Sequence, residues 1–92
     1  MYLWRRKPVY LDTYRNVESE MIECCVDMDL VLEIIETGNI VRRRRKGIIE
    51  KWKRYGKWII IITFEEHLEF WSVRHVGRIR STKKKVRLLR GE

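Results

Sequence analysis

The chain has 92 residues, 45% of them apolar and 37% charged, with a formal net charge of +8 at pH 7. That length suits one domain over 1–92 with its own core but no deep pocket beside it. The composition excludes an unfolded chain, and the longest apolar stretch, "WIIIITF", is far short of a membrane span. An active site is therefore expected as a shallow surface or a cleft between elements, and the positive charge points to an anionic partner.

The opening "MYLWRRKPVYL" has basic residues without an adequate apolar run behind them, so no secretory signal is expected and the protein is placed in the cytoplasm. Pro8 rules out a helix across the middle of 1–11 and favours an extended arm or edge strand. Asp12 or Thr13 can cap a helix beginning just after the arm. Tyr14, Val17, Met21, Cys24 and Cys25 then recur at helical spacing, with Glu18 and Glu23 on the opposite side, which predicts a first amphipathic helix. Cys24 and Cys25 are adjacent and the chain has no other cysteine, so they cannot readily bridge each other. They read as small core residues, with an intermolecular disulfide as the alternative. His67 and His75 are too far away in the chain to complete a metal site of recognisable spacing, and no cofactor is expected.

"CVDMDLVLEIIETGN" predicts a second helix: Asp27 as cap, acidic residues in the first turn, an apolar stripe of Leu30, Val31, Ile34 and Ile35, and Gly38 in the place of a left-handed C-cap. At Gly38 the charge reverses. Met1 to Gly38 holds four Lys/Arg against eight Asp/Glu, and Asn39 to Glu92 holds seventeen against five. Such asymmetry marks a nucleic-acid binder or a self-complementary oligomer. The chain also lacks alanine and glutamine and is rich in Ile, Glu, Lys and Arg, a usage like that of heat-adapted proteins, so some of the arginines can serve stability alone.

Beyond Gly38 the residues are β-branched and aromatic, punctuated by glycine. "NIVRRRR" and "KGIIEKWKRYG" read as one long or two broken extended segments, "KWIIIITFEE" as a central strand, and "HLEFWSVRHV" as its alternating neighbour. These elements predict an α+β fold: two N-terminal helices packed on a small antiparallel β-sheet of three to four strands. The arm would be 1–11, the core 12–80 and a basic C-terminal tail 81–92. Ile59 and Ile61 need cover on one face of the central strand, Ile60 and Ile62 on the other. Two helices cover one face only. The other must be closed by Val86, Leu88 and Leu89 of the tail, by the arm, by a second copy of the chain, or by a partner protein.

Two helices, the second reading "DLVLEIIETGNIV", followed by strands ending in "WIIIITF" and "EFWSVRHV", resemble the RelE/ParE-like toxin superfamily over roughly Thr13 to Arg80. More narrowly the chain is similar to small toxin-like domains whose helices carry a His-Ala-x-x-Arg-Met-x-x-Arg-Gly pattern. The resemblance implies a groove for messenger RNA, cut by attack of a ribose 2′-hydroxyl on its own phosphate, and an acidic inhibitor protein as partner. The pattern's histidine, two arginines and glycine are replaced here by Asn16, Glu20, Cys24 and Cys25, which leaves the strands to carry a site.

On those strands, Arg42, Arg43, Arg44, Arg45 and Lys46 form five successive cations, able to grip a phosphate backbone or to guard an edge strand against aggregation. "EKWKRYGKW" interleaves Lys51, Lys53, Arg54 and Lys57 with aromatics, the mix that stacks single-stranded bases, although such aromatics also serve packing. Trp52 and Trp58 are assigned to the core and Tyr55 to an exposed platform. In "WSVRHVGRIR" alternation sets Trp71, Val73 and His75 on one side, opposite Phe70, Ser72 and Arg74. RNA cleavage needs a proton acceptor, a donor, and cations for the phosphorane. His75 suits either proton role, and Arg74, Arg78 and Arg80 can supply charge. The plainer reading makes His75 a half-buried strand residue and the arginines surface. The helix carboxylates match a solvated exterior.

Three functions fit: an RNA-binding, RelE/ParE-like domain that acts as a metal-independent endoribonuclease; a non-catalytic DNA- or RNA-binding protein; and an oligomeric interaction module, such as a homodimer in which acidic helices meet a basic half. RNA is favoured over DNA, and no membrane partner is expected.

Overall fold

A computed structural model describes residues 2–43 and 47–89. Strand β1 (Leu3–Trp4) and strand β2 (Lys7–Leu11) form a hairpin, and a 3-10 turn (Thr13–Arg15) leads into helix α1 (Val17–Cys24) and helix α2 (Met28–Thr37). Strands β3 (Asn39–Arg43), β4 (Ile48–Tyr55), β5 (Trp58–Glu66) and β6 (Trp71–Arg80) come next, and helix α3 (Lys83–Leu89) ends the described chain. None of the described helices is long and apolar enough to cross a membrane.

The expectation of an antiparallel sheet of three to four strands under two helices, with a basic tail, is overturned. One six-stranded mixed sheet runs β1-β2-β6-β5-β4-β3 and curls into a half-barrel, with three helices about it. The difference arises at the arm, where Val9, Tyr10 and Leu11 pair in parallel with Trp71, Ser72 and Val73. A parallel pair needs a long crossover, and α1 through β5 supply it. At the other end, the segment read as a tail winds into α3, with Val86 half-buried and Lys85 Nζ 5.7 Å from the Trp52 ring.

Antiparallel register sorts the strand residues between two faces. Ile60, Ile62 and Phe64 lie beside Val76 and Val73 on the face covered by α1 and α2, where Val17, Met21, Val31, Ile34 and Ile35 complete the main core. Trp4 and Val9 of the arm join that core, with Trp4 and Trp71 ring centroids 4.6 Å apart. Each such apolar side chain contributes about 1.5–3 kcal/mol by leaving water. On the second face Ile59 and Trp52 are buried outside this cluster, on the side where Lys85 of α3 lies. The tail thus takes part in the cover that the central strand requires, although Leu88 is 41% exposed.

Local signals are partly redistributed. Asp27 caps α2 through the Leu30 N–H at 2.8 Å, as its sequence predicts. Gly38, however, is extended (φ −69°) rather than left-handed. What it needs is space, because an added Cβ would sit 2.5 Å from the Ile34 carbonyl oxygen. Asp12 caps the 3-10 turn instead of α1, which leaves Tyr14 fully exposed and outside the apolar stripe. Of the two cysteines expected in the core, Cys24 is half-buried and Cys25 is exposed, at the left-handed end of α1 (φ 57°).

Candidate functional site

The second face of the sheet holds a groove of about 580 Å³ lined by Arg15, Glu20, Ile48, Glu50, Thr63, Arg74 and His75. Its floor depends on one irregularity. Thr63 pairs with His75 but the next residue, Phe64, pairs with Val73, so Arg74 is an extra residue in β6. A bulge of this kind turns two successive side chains to one face. It returns Trp71 and Val73 to the core side and sends Arg74 and His75 together into the groove, where simple alternation separates Arg74 from His75 and puts His75 with Trp71.

The second component comes from α1. Strand β2 ends at Leu11 opposite Val73, so the remainder of that β6 edge is open to α1. There the Val76 N–H donates to Glu20 Oε1 at 3.2 Å, and His75 Nδ1 lies 2.6 Å from Glu20 Oε2. One carboxylate thus ties helix to strand and orients the imidazole. Held through Nδ1, the ring leaves its second nitrogen, Nε2, for a ligand. That nitrogen lies over Gly77, where an added Cβ would approach it to 3.4 Å. The His75 side chain remains 54% exposed, open to a ligand.

Arg74 is fixed by Glu65 at 3.1 Å, and Arg15 lies 3.4 Å from Asp12. Each guanidinium has more donors than one carboxylate engages, so both can still face an anion. His67 is kept out of the groove's chemistry: it stacks on Phe70 with centroids 4.3 Å apart, and Glu65 is 3.7 Å away.

Arg78 and Arg80 do not join Arg74 and His75. They lie opposite Ile60 and Trp58 on the other face, and both guanidiniums cover the Trp58 ring, at 4.4 and 5.9 Å. Among the expected phosphate-gripping residues, Arg42, Arg43, Arg54 and Lys57 are exposed, whereas Arg44, Arg45 and Lys46 lie outside the described residues. Lys51 is only 8% exposed and donates to the Ile35 carbonyl at the end of α2, and burial lowers its pKa. The aromatic roles of Tyr55 and Trp58 are exchanged. Tyr55 is half-buried with its hydroxyl donating to Glu33, and Trp58 is half-buried beneath the two arginines; Trp52 is buried as assigned.

Arg15 and Thr63 escape the sequence reading, and Glu20, one of the helix carboxylates that could form a general-base pair, is assigned there to a solvated exterior. For Glu20 a signal exists, since Val17, Glu20, Met21 and Cys24 fall at i, i+3, i+4 and i+7, which puts a carboxylate within the apolar stripe rather than on the solvated side. Among the described residues no group of three or more His, Cys, Asp or Glu could hold a metal ion. Comparison with protein-family models, curated proteins and solved structures finds no match.

Proposed function

We propose that this chain is a small nucleic-acid-binding protein that cuts single-stranded RNA in the cytoplasm, in the manner of RelE/ParE-like toxins. The observation that carries the reading is the Glu20–His75 pair, 2.6 Å apart, beside two arginines in an open groove. An imidazole oriented by a carboxylate, its side chain 54% exposed, is a general base in position.

In this reading His75 Nε2 takes the proton of a ribose 2′-hydroxyl. The 2′-oxygen then attacks the adjacent phosphorus, the bond to the 5′-oxygen breaks, and water in the groove protonates the departing oxygen. Arg74 and Arg15 stabilise the charge on the phosphorane. The product is a 2′,3′-cyclic phosphate, and DNA, which has no 2′-hydroxyl, is not cut. Exposed Arg42, Arg43, Arg54 and Lys57 hold the flanking strand by its phosphates, an attraction that weakens with salt.

A second reading, binding without cleavage, is favoured by the carboxylates that already engage Arg74 and Arg15. The test is incubation of chelator-treated protein with mixed single-stranded RNA and DNA at low and physiological salt. Cut RNA beside intact DNA supports the endoribonuclease. Salt-sensitive binding with both strands intact supports the second reading, and neither result would move the account to an assembly module.

A further inference from the structure

The half-barrel has an end that α1 and α2 leave open, and all six strands contribute to it. Trp4 of β1, Lys7 of β2, Trp71 of β6, Phe64 of β5, Lys51 of β4 and Arg43 of β3 surround one cavity of about 320 Å³. We propose that this mouth binds a nucleotide, its planar base against the apolar lining at Ile40 and Ile49 and its phosphate among the cations. This site is separate from the His75 groove and does not depend on cleavage.

Charge favours an anion there. Arg5, Lys7, Arg43 and Lys51 line the cavity against a single lining carboxylate, Glu66, which Lys7 already engages at 2.9 Å. Nearby Glu36 accepts the Trp4 indole N–H. Lys51 is nearly out of water, and Arg5 and Arg43 add repulsion to the burial that lowers its pKa. A bound anion relieves that repulsion. Four cations suit a phosphate better than a singly charged carboxylate, and guanidinium forks match its oxygens.

Shape favours a planar base. Trp4 and Trp71, 9% and 4% exposed above a fully buried Phe64, show only their rims at the cavity floor, so a base would lie on Ile40, 44% exposed, and the half-buried Ile49, beside the Arg5 guanidinium. The volume sits at the small end of the usual range for ligand sites, about 300–1,000 Å³, and barrel mouths are common places for them.

Backbone conformation points the same way. The β1–β2 turn is Arg5–Arg6, with φ of 49° and 66°. Asn-Gly is the pair that fills such a turn without cost. Arginine there works against local preference, and its effect is to lay the Arg5 guanidinium 4.4 Å from the Trp4 ring at the cavity's edge. A conformation held against preference is a mark of functional positions.

Titration of the full chain with AMP, adenosine, inorganic phosphate and a 5′-phosphorylated RNA, monitored by tryptophan fluorescence and calorimetry, tests the proposal. AMP should bind saturably, about tenfold or more tighter than adenosine or phosphate alone. Arg5→Asn should weaken AMP by about tenfold while the melting temperature holds or rises, because Asn tolerates the left-handed region better. Tighter binding of the 5′-phosphorylated strand would identify a strand end as the source, and weaker binding a free nucleotide. Absence of saturable AMP binding, equal binding of adenosine, or AMP affinity untouched by Arg5→Asn would each overturn it. So would a fall in melting temperature for that variant without loss of binding, which would make Arg5 a structural residue only.

Discussion

Glu20 and His75 meet across the edge of the sheet: one carboxylate oxygen lies 2.6 Å from the imidazole Nδ1, and the other accepts the Val76 backbone N–H at 3.2 Å. The two bonds separate in mutants. Glu20→Gln retains an oxygen for the strand edge but no charge for the imidazole. RNA cleavage should fall, while the melting temperature moves little. Glu20→Ala loses both bonds, and should lower cleavage and melting temperature together. His75→Ala should lower cleavage by about 10²–10⁴-fold, the range for a general base, with folding unchanged because the side chain is half-exposed.

Gly77 makes room for the same ring. An added Cβ would already stand 3.4 Å from Nε2, and the branched methyls of valine come closer. Gly77→Val suits a strand, so the fold should persist. Displacing the imidazole should still cost about 10²-fold in cleavage, with RNA affinity unaltered. Equal activity would place the reacting proton elsewhere.

The arginines on Trp58 separate gripping from chemistry. Arg78 and Arg80 lie on the face away from His75, stacked on that indole. Arg78→Ala and Arg80→Ala should therefore leave the single-turnover rate at saturating RNA near the wild-type value. If the bound strand wraps to that face, each should reduce the slope of log affinity against log salt by about one.

Tyr55 gives the fold a dependence on alkali. Burial and the Glu33 carboxylate that accepts its hydroxyl raise the Tyr55 pKa well above the usual value. A group whose pKa is raised on folding stabilises fully below its unfolded pKa, about 10 for tyrosine, and that stability is lost as pH rises through the folded value. Tyr55→Phe should cost about 1 kcal/mol at neutral pH, a modest figure because Glu33 is half-exposed. The gap between wild type and variant should close above pH ~10. Urea melts at pH 7 and at pH 11 check this, and a gap that persists undiminished would contradict the contact.

Elements written in local signals were legible in the sequence. Asp27, the stripe through Ile35, the apolar run of β5 and the polar–apolar pattern at the start of β6 each lie within a few residues of the structure they specify. Two features were not. The β2–β6 pairing joins residues such as Val9 and Trp71, which nothing between them announces, and a short arm with a proline looks the same free or paired. The bulge at Arg74 carries no glycine, and its one trace in "WSVRHV" is the successive polar pair Arg74–His75, which reads equally well as the exit of a strand. A one-residue insertion inverts every assignment beyond it, which is why alternation separates Arg74 from His75 while the fold puts them in one groove. Glu20 was legible by spacing yet hidden by composition, since it stands among the carboxylates of an acidic helix.

The most direct test is to track a single-stranded RNA and the same strand 2′-O-methylated throughout, each with wild-type protein and with His75→Ala. The account predicts that only wild type with unmodified RNA gives cleavage, leaving 2′,3′-cyclic phosphate ends. Cutting of the methylated strand at the same rate, or full activity in His75→Ala, would contradict it.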